Sequence, residues 1–295
     1  MRNLGRYLVE RFQPLAVVPL ALLTAMLLVG AASPLQYSYF VVHHASTALS
    51  LPSVLNTLLV ALLVLAFLLR TRVTDEFKDY KHDTANYPNR PLQRGLVTRD
   101  QLFKLGVGAF AVELGCAVAC GIFNDTLTSA GWYLAVLAFS YLTAKEFFAP
   151  RWLARHFTIY FVSHQILFVC FAIWAYNTFG GATAERRDYS QTALVAFVLL
   201  MAAVEIVRKY ELRYSPDGTL VQDTYPAVWG KKWAALVLAT LVVVASGFES
   251  YALFSPAPFL LGATAATLIG ASKPQTARAL GFITFAVLTV VLWWS

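Results

Sequence analysis

A chain of 295 residues with 58% hydrophobic and only 13% charged side chains is too apolar for a soluble globule. Its 16 glycines, 12 prolines and three cysteines fit neither a disordered, a collagen-like nor a disulfide-scaffold composition. The formal charge of +7 does not call for nucleic acid, because basic residues in so apolar a chain report membrane topology.

A bilayer core of about 30 Å takes around 20 apolar residues per helix. Nine such runs follow one another, at residues 14–32, 51–70, 102–122, 130–148, 157–178, 190–208, 233–250, 257–272 and 277–294. The sequence therefore predicts an all-α, polytopic membrane protein with nine transmembrane helices. The first run is long and lacks a small-residue cleavage site, so it reads as a span and not a signal. Cys116, Cys120 and Cys170 lie inside apolar runs and read as small packing groups. The eighth run, short and rich in Gly and Ala, is expected to pack closely on its neighbours. With the N-terminus in the cytoplasm, every Lys and Arg except Arg186 and Arg187 falls on the cytoplasmic side. The C-terminal Trp293 and Trp294 then sit in the interfacial belt of the far side. The expected location is the inner, cytoplasmic membrane. Two cytoplasmic loops, 71–101 and 209–232, are long and polar, and their four-helix spacing fits an internal duplication.

After the second run, Arg70 to Asp83 contains no Pro or Gly, so the helix is expected to continue beyond the bilayer. Asp75, Asp79 and Asp83 then stand at i, i+4 and i+8 on one face, with Glu76 on the flank. Like charges so spaced repel by about 0.2–0.5 kcal/mol per pair, so the arrangement calls for a cation. Mg²⁺ suits it, since that ion takes one or two carboxylates together with the oxygens of a substrate phosphate. A solvated helix laced by Lys78, Lys81 and His82 is the plainer alternative, disfavoured where the run abuts a membrane helix. Asn89-Arg90-Pro91-Leu92-Gln93-Arg94-Gly95 follows and brings two guanidiniums close to the acids, a standard arrangement for phosphate oxygens.

Asp75-Glu76-x-x-Asp79-x-x-x-Asp83, followed by Asn89-Arg90-Pro91-Leu92-x-x-Gly95, resembles the Asn-Asp-x-x-Asp-x-x-x-Asp and Asn-Arg-Pro-Leu-x-x-Gly signature of the UbiA superfamily of intramembrane prenyltransferases. Asp75 and Glu76 stand where the signature has Asn and Asp, and both keep an oxygen ligand. The resemblance implies one integral-membrane domain over residues 1–295, a helical bundle around a central cavity, with loops 71–101 and 209–232 capping the active site. The fourth run ends Tyr141-Leu-Thr-Ala-Lys145-Glu146, similar to the family's Tyr-x-x-x-Lys-Arg, whose lysine contacts the diphosphate; Glu146 departs from that pattern. In the fifth run Tyr160 and His164, one turn apart, are candidates for acceptor binding or proton removal. His43, His44 and His156 form no ligand set.

The sixth run ends Glu205-Ile-Val-Arg208-Lys209, where the family pattern Asp-x-x-x-Asp has its second acid at the place of Lys209. Asp223, or else Asp217, is expected to supply that carboxylate from the loop. An ordinary i, i+4 pair between Glu205 and Lys209 is the alternative. Thr224-Tyr225-Pro226-x-x-x-Gly230 is similar to the family's Thr-Leu-Pro-x-x-x-Gly turn.

The resemblance thus implies Asp75, Asp79, Asp83 and Lys145 as catalytic residues, and Mg²⁺ held among Asp75, Glu76, Asp79, Asp83, Glu205 and Asp223. Substrate contacts fall to Arg90, Arg94, Tyr141, Tyr160, His164, Arg208, Lys209 and Tyr225. The expected reaction is Mg²⁺-dependent transfer of a prenyl group from a prenyl diphosphate to a small lipophilic or aromatic acceptor within the bilayer, with no nucleic-acid partner. Two other outcomes stay open: a terpene cyclase of the same superfamily, and a divalent-cation permease. The permease is disfavoured because the acids cluster at one side, with Glu113 the chief charge inside the runs, whereas transporter ion sites lie near the midplane.

Overall fold

The computed structural model describes residues 2–32, 51–180, 184–253, 257–271 and 274–294. Lipid offers the backbone no hydrogen-bond partners, so the apolar runs fold as helices. In chain order these are α1 (Arg2–Tyr7), α2 (Pro14–Ala32), α3 (Leu51–Lys78), α4 (Tyr80–Asn86), α5 (Arg99–Phe123), α6 (Thr128–Ala144) and α7 (Pro150–Arg155). Then come α8 (Phe157–Phe179), α9 (Ala184–Arg208), α10 (Tyr225–Val228), α11 (Lys231–Leu253), α12 (Ala257–Ala271) and α13 (Pro274–Trp294). Among the described residues there is no strand, only an isolated bridge between Tyr214 and Leu220. A π-helical turn, Leu8–Phe12, joins α1 to α2.

Among the described residues, six helices are long and apolar enough to cross a membrane: α2, residues 54–78 of α3, α5, α8, residues 190–208 of α9 and residues 231–251 of α11. The chain is therefore a multi-pass membrane protein. At 17 residues α6 is shorter, spanning about 25 Å. The fourth run, expected to reach residue 148, leaves the helix at Ala144 because Glu146, Phe147 and Phe148 take φ of 48°, 51° and 59°. The loop with His43 and His44 lies outside the described residues, as do the side chains of Arg186, Arg187, Trp293 and Trp294.

Neighbouring long helices pack on one another in chain order, α2 on α3, α5, α6, α8, α9, α11, α12 and α13, and α13 returns to α2. Across this ring α2 also meets α8 and α9. Small residues permit the close approaches: a side chain at Gly262 of α12 would run into Ser246 of α11, which accounts for the Gly and Ala of the eighth run. The main apolar core joins Leu28, Leu63, Cys120, Val136, Trp174, Phe197 and Leu288, drawn chiefly from the helix halves away from the two polar loops. Tyr133 and Trp174 meet edge to face there, with ring centroids 5.3 Å apart. Cys116, Cys120 and Cys170 are free thiols, the first two buried. The halves nearer the loops are left to carry polar groups.

Candidate functional site

Beyond residue 70 α3 carries on to Lys78, and after one irregular residue, Asp79 (φ −89°, ψ 8°), α4 resumes the helix. The i→i−4 ladder survives the join: Asp79 N–H donates to the Asp75 carbonyl, Asp83 N–H to Asp79 and Tyr87 N–H to Asp83, each at 2.8 Å. The aspartates thus remain stacked at one-turn intervals, but their side chains divide. Asp75 and Asp79 stay open, at 39% and 45% side-chain exposure, with Lys78 Nζ 3.7 and 4.0 Å away. Glu76 and Asp83 are buried and face arginines instead. Glu76 accepts from Arg11 Nε at 2.7 Å and from Arg72 Nη2 at 2.9 Å. Asp83 pairs with Arg90, and with Arg11 at 3.8 Å.

Arg90 also lies 3.9 Å over the Tyr87 ring, and Arg94 donates to both oxygens of Glu10 at 2.7 and 2.9 Å. The two guanidiniums expected to face phosphate are engaged with the chain's own acids. Arg11, which holds the far side of the acidic segment, was not marked by any motif; it lies 65 residues from Glu76 in a tail where an arginine reads as a topology charge. The turn after Arg90 closes at Gly95, whose φ of +75° suits only glycine well. Partial burial, opposed by Lys78 and reinforced by the charges of Asp75, Asp83 and Glu146, holds the half-exposed Asp79 carboxyl above the usual carboxylate range. A carboxylate so placed gains from a cation.

At the end of α9, Glu205 accepts from Arg208 Nε and Nη2 at 3.0 Å each, from Tyr225 OH at 3.3 Å, and pairs with Lys209 Nζ at 3.4 Å. The local Glu205–Lys209 pair given as the alternative is present, and Arg208 adds a closer contact to the same carboxylate. Asp217 is occupied by its own turn, accepting from Thr219 N at 3.1 Å, Thr219 Oγ1 at 2.9 Å and Ser215 Oγ. Asp223 faces the first loop, accepting from Tyr87 OH at 2.9 Å and Arg213 Nη1 at 3.5 Å. The following turn, closed by Gly230 at φ +82°, lays Tyr225 and Trp229 on Phe161 of α8, with centroids 5.4 and 5.5 Å away.

These pieces meet. Arg208, bonded to Glu205, is also within electrostatic reach of Asp75. His164 of α8 feels the charges of Lys78, Glu205 and Lys209, and Lys209 Nζ lies 5.8 Å from the Tyr160 ring. His164 Nδ1 is 2.7 Å from the Tyr160 carbonyl, which can only accept, so Nδ1 carries a hydrogen, and in the neutral ring Nε2 carries the lone pair. Lys145 is exposed, 5.8 Å from the Tyr141 ring, while its neighbour Glu146 takes Lys78 at 3.5 Å. Among the described residues no three His, Cys, Asp or Glu are placed to hold a metal unaided. The open pair Asp75 and Asp79 nevertheless matches an ion that takes one or two carboxylates and completes its shell with substrate oxygens. A cleft of about 490 Å³ between the N-terminal segment and the two loops is lined by Arg11, Tyr87, Arg90 and Tyr214 and includes neither open aspartate.

A family model described as the UbiA prenyltransferase family matches residues 38–273. No match was found among curated proteins. A solved structure concerned with digeranylgeranylglyceryl phosphate synthase in membranes aligns over 100% of this chain and 98% of its own, with a TM-score of 0.52 and 16% identity, a likeness of fold.

Proposed function

The chain belongs to the UbiA prenyltransferase family, and from that membership we propose Mg²⁺-dependent transfer of a prenyl group from a prenyl diphosphate to a lipophilic or aromatic acceptor, at the meeting point of α3, α8 and α9. Nine spans in a single domain of residues 1–295, a cytoplasmic N-terminus, a C-terminus beyond the inner membrane, and loops 71–101 and 209–232 as the cap complete the reading. The alternation of basic loops along the sequence supports it.

The observation that carries the proposal is the joining of the two polar loops that follow the acidic helix ends, through the Tyr87 hydroxyl on Asp223 at 2.9 Å. Asp75 and Asp79, with Glu205, would hold Mg²⁺, which would supply positive charge against the departing diphosphate. Arg208 and Lys209 present fixed positive charge to that same leaving group. As the allylic carbon loses its bond to oxygen, the rings of Tyr160, Phe157 and Tyr225 stabilise the cation and help exclude water. His164 Nε2 then accepts the proton that the acceptor releases as the new bond forms. Glu76, Asp83, Arg90 and Arg94 hold the framework, and Tyr141 and Lys145 lie at its rim.

Pyrophosphate release by the purified chain, with a panel of prenyl diphosphates, with and without Mg²⁺ and acceptor, tests the reading. Metal-dependent release that falls by orders of magnitude in Asp79→Ala and persists in Glu249→Ala supports it. Cyclic product formed without acceptor assigns the cyclase instead, and absence of metal-dependent release overturns the reading.

A further inference from the structure

The ammonium of Lys78 stands among three carboxylates from two elements. Nζ lies 3.7 Å from Asp75 Oδ1, 4.0 Å from Asp79 Oδ1 and 3.5 Å from Glu146 Oε1. None of these is a close contact, although the protein makes close ones where a guanidinium is committed, at 2.6 Å for Arg70–Glu113 and 2.9 Å for Arg72–Glu76. An ammonium shared at such distances is held by the combined field of its neighbours, not by a directed hydrogen bond, and can shift among them at little cost.

Two of the three acceptors are the open aspartates. The third reaches Lys78 by an unusual backbone path: Glu146, Phe147 and Phe148 all lie in the left-handed region, at φ 48°, 51° and 59°, which bulky residues seldom occupy. The turn is held there by packing, with the Phe147 ring 5.5 Å from Phe139 and 5.8 Å from His164. A continued α6 would carry Glu146 elsewhere. Three carboxylates and one ammonium leave two negative charges, the amount a single divalent cation cancels. Once such an ion sits on Asp75 and Asp79, Glu146 is the ammonium's remaining carboxylate partner, and the ammonium is released to turn toward an anionic diphosphate. Lys145, by contrast, is exposed near Tyr141.

We propose that Lys78 is a further diphosphate-binding residue and Glu146 its positioning residue. Lys78 neutralises the aspartate pair before a divalent ion arrives, then turns to Glu146 and the phosphate oxygens when the ion takes the aspartates. The inference rests on the reading that Asp75 and Asp79 take Mg²⁺.

Mn²⁺ titration of the full chain without substrate, followed by the magnetic-resonance signal of the free ion, is the direct test, run beside pyrophosphate release at varied prenyl diphosphate. Lys78→Met is expected to bind Mn²⁺ about tenfold more tightly, having lost a competing charge, while half-saturation with prenyl diphosphate rises about tenfold. Glu146→Gln leaves Lys78 only the aspartates, so Mn²⁺ binding weakens by roughly threefold or more, and Glu146→Asp restores it. Unchanged Mn²⁺ affinity in both Lys78→Met and Glu146→Gln overturns the proposal. Lack of metal-dependent release by the unsubstituted chain overturns the reading beneath it instead.

Discussion

Tyr87 and Asp223, 136 residues apart, are joined by a 2.9 Å hydrogen bond from the phenol to Oδ2, and this bond ties the first polar loop to the second. Burial, with the Asp223 carboxylate as acceptor, pushes the Tyr87 phenol up to about 12. A phenol raised from its ordinary 10 lends stability that is complete below pH 10 and disappears as pH climbs through the folded value. The tie is therefore constant over roughly pH 6 to 9. Tyr87→Phe removes a bond worth about 1 kcal/mol, which should speed proteolytic cleavage within residues 209–232 about fivefold. Equal cleavage of variant and parent would show that the loops are held by other contacts.

Asp79 illustrates a site that costs the fold something. Its carboxyl is held above the ordinary 3.8, first by burial and then by Asp75, Asp83 and Glu146, against the pull of Lys78. A raised acid favours the folded state only while protonated, so what it contributes is complete below pH 3.8 and lost as pH rises through the folded value. Asp79→Asn is accordingly expected to unfold at a higher temperature than the parent at pH 7 without metal, and at a similar temperature near pH 3.5. Saturating Mg²⁺, at about 100 times its dissociation constant, should stabilise the parent by about 2.7 kcal/mol and the variant far less. Calorimetry in detergent measures both, and a variant less stable at pH 7 would contradict the electrostatic argument.

Within the bundle, Arg70 of α3 forks Glu113 of α5, Nε to Oε2 at 2.6 Å and Nη2 to Oε1 at 3.0 Å. Tyr133 OH from α6 donates to Oε1 at 2.8 Å, and Ser140 Oγ accepts from Arg70 at 3.2 Å. Glu113 is fully buried, so Glu113→Ala strands a guanidinium and should cost about 3–5 kcal/mol. The double variant Arg70→Met with Glu113→Leu should recover most of that loss, since a buried ion pair is often no better than apolar residues of similar volume. Thermal unfolding of the single and double variants in detergent decides between a structural staple and a pair that adds nothing.

The helices were legible because a bilayer demands long apolar runs and charges punctuate them; the nine runs fall on described helices, and among the described residues six of these are long and apolar enough to cross a membrane. The acids of the first segment were legible because 3.6-residue periodicity stacks Asp75, Asp79 and Asp83. Which of them stay open was not, since that depends on Arg11 and Arg90 folding back on Glu76 and Asp83. Glu205 showed the opposite case: its bonds to Arg208 and Lys209 are local, and spacing alone anticipated the second of them. Glu146 was opaque because no helical or extended pattern foretells three left-handed residues in succession.

Glu249, on α11 at the end away from the polar loops, is fully buried, and neither carboxyl oxygen has a hydrogen-bond partner among the described residues. Withdrawing such a group from water without compensation costs roughly 1–3 kcal/mol even when it is neutral. The surrounding α11 and α12 approach closely, Ser246 lying against Gly262 one turn earlier, so the site has little room to relax toward water. Glu249→Leu, similar in volume and without the polar atoms, should raise the unfolding temperature in detergent by a few degrees. Pyrophosphate release at saturating substrate should stay within about twofold of the parent, because Asp75 and Asp79 lie at the other end of the bundle and independent distant sites behave additively. A variant that is more stable yet inactive would move Glu249 into the reaction, and one that is less stable would mean the carboxyl has a partner in the membrane-embedded protein.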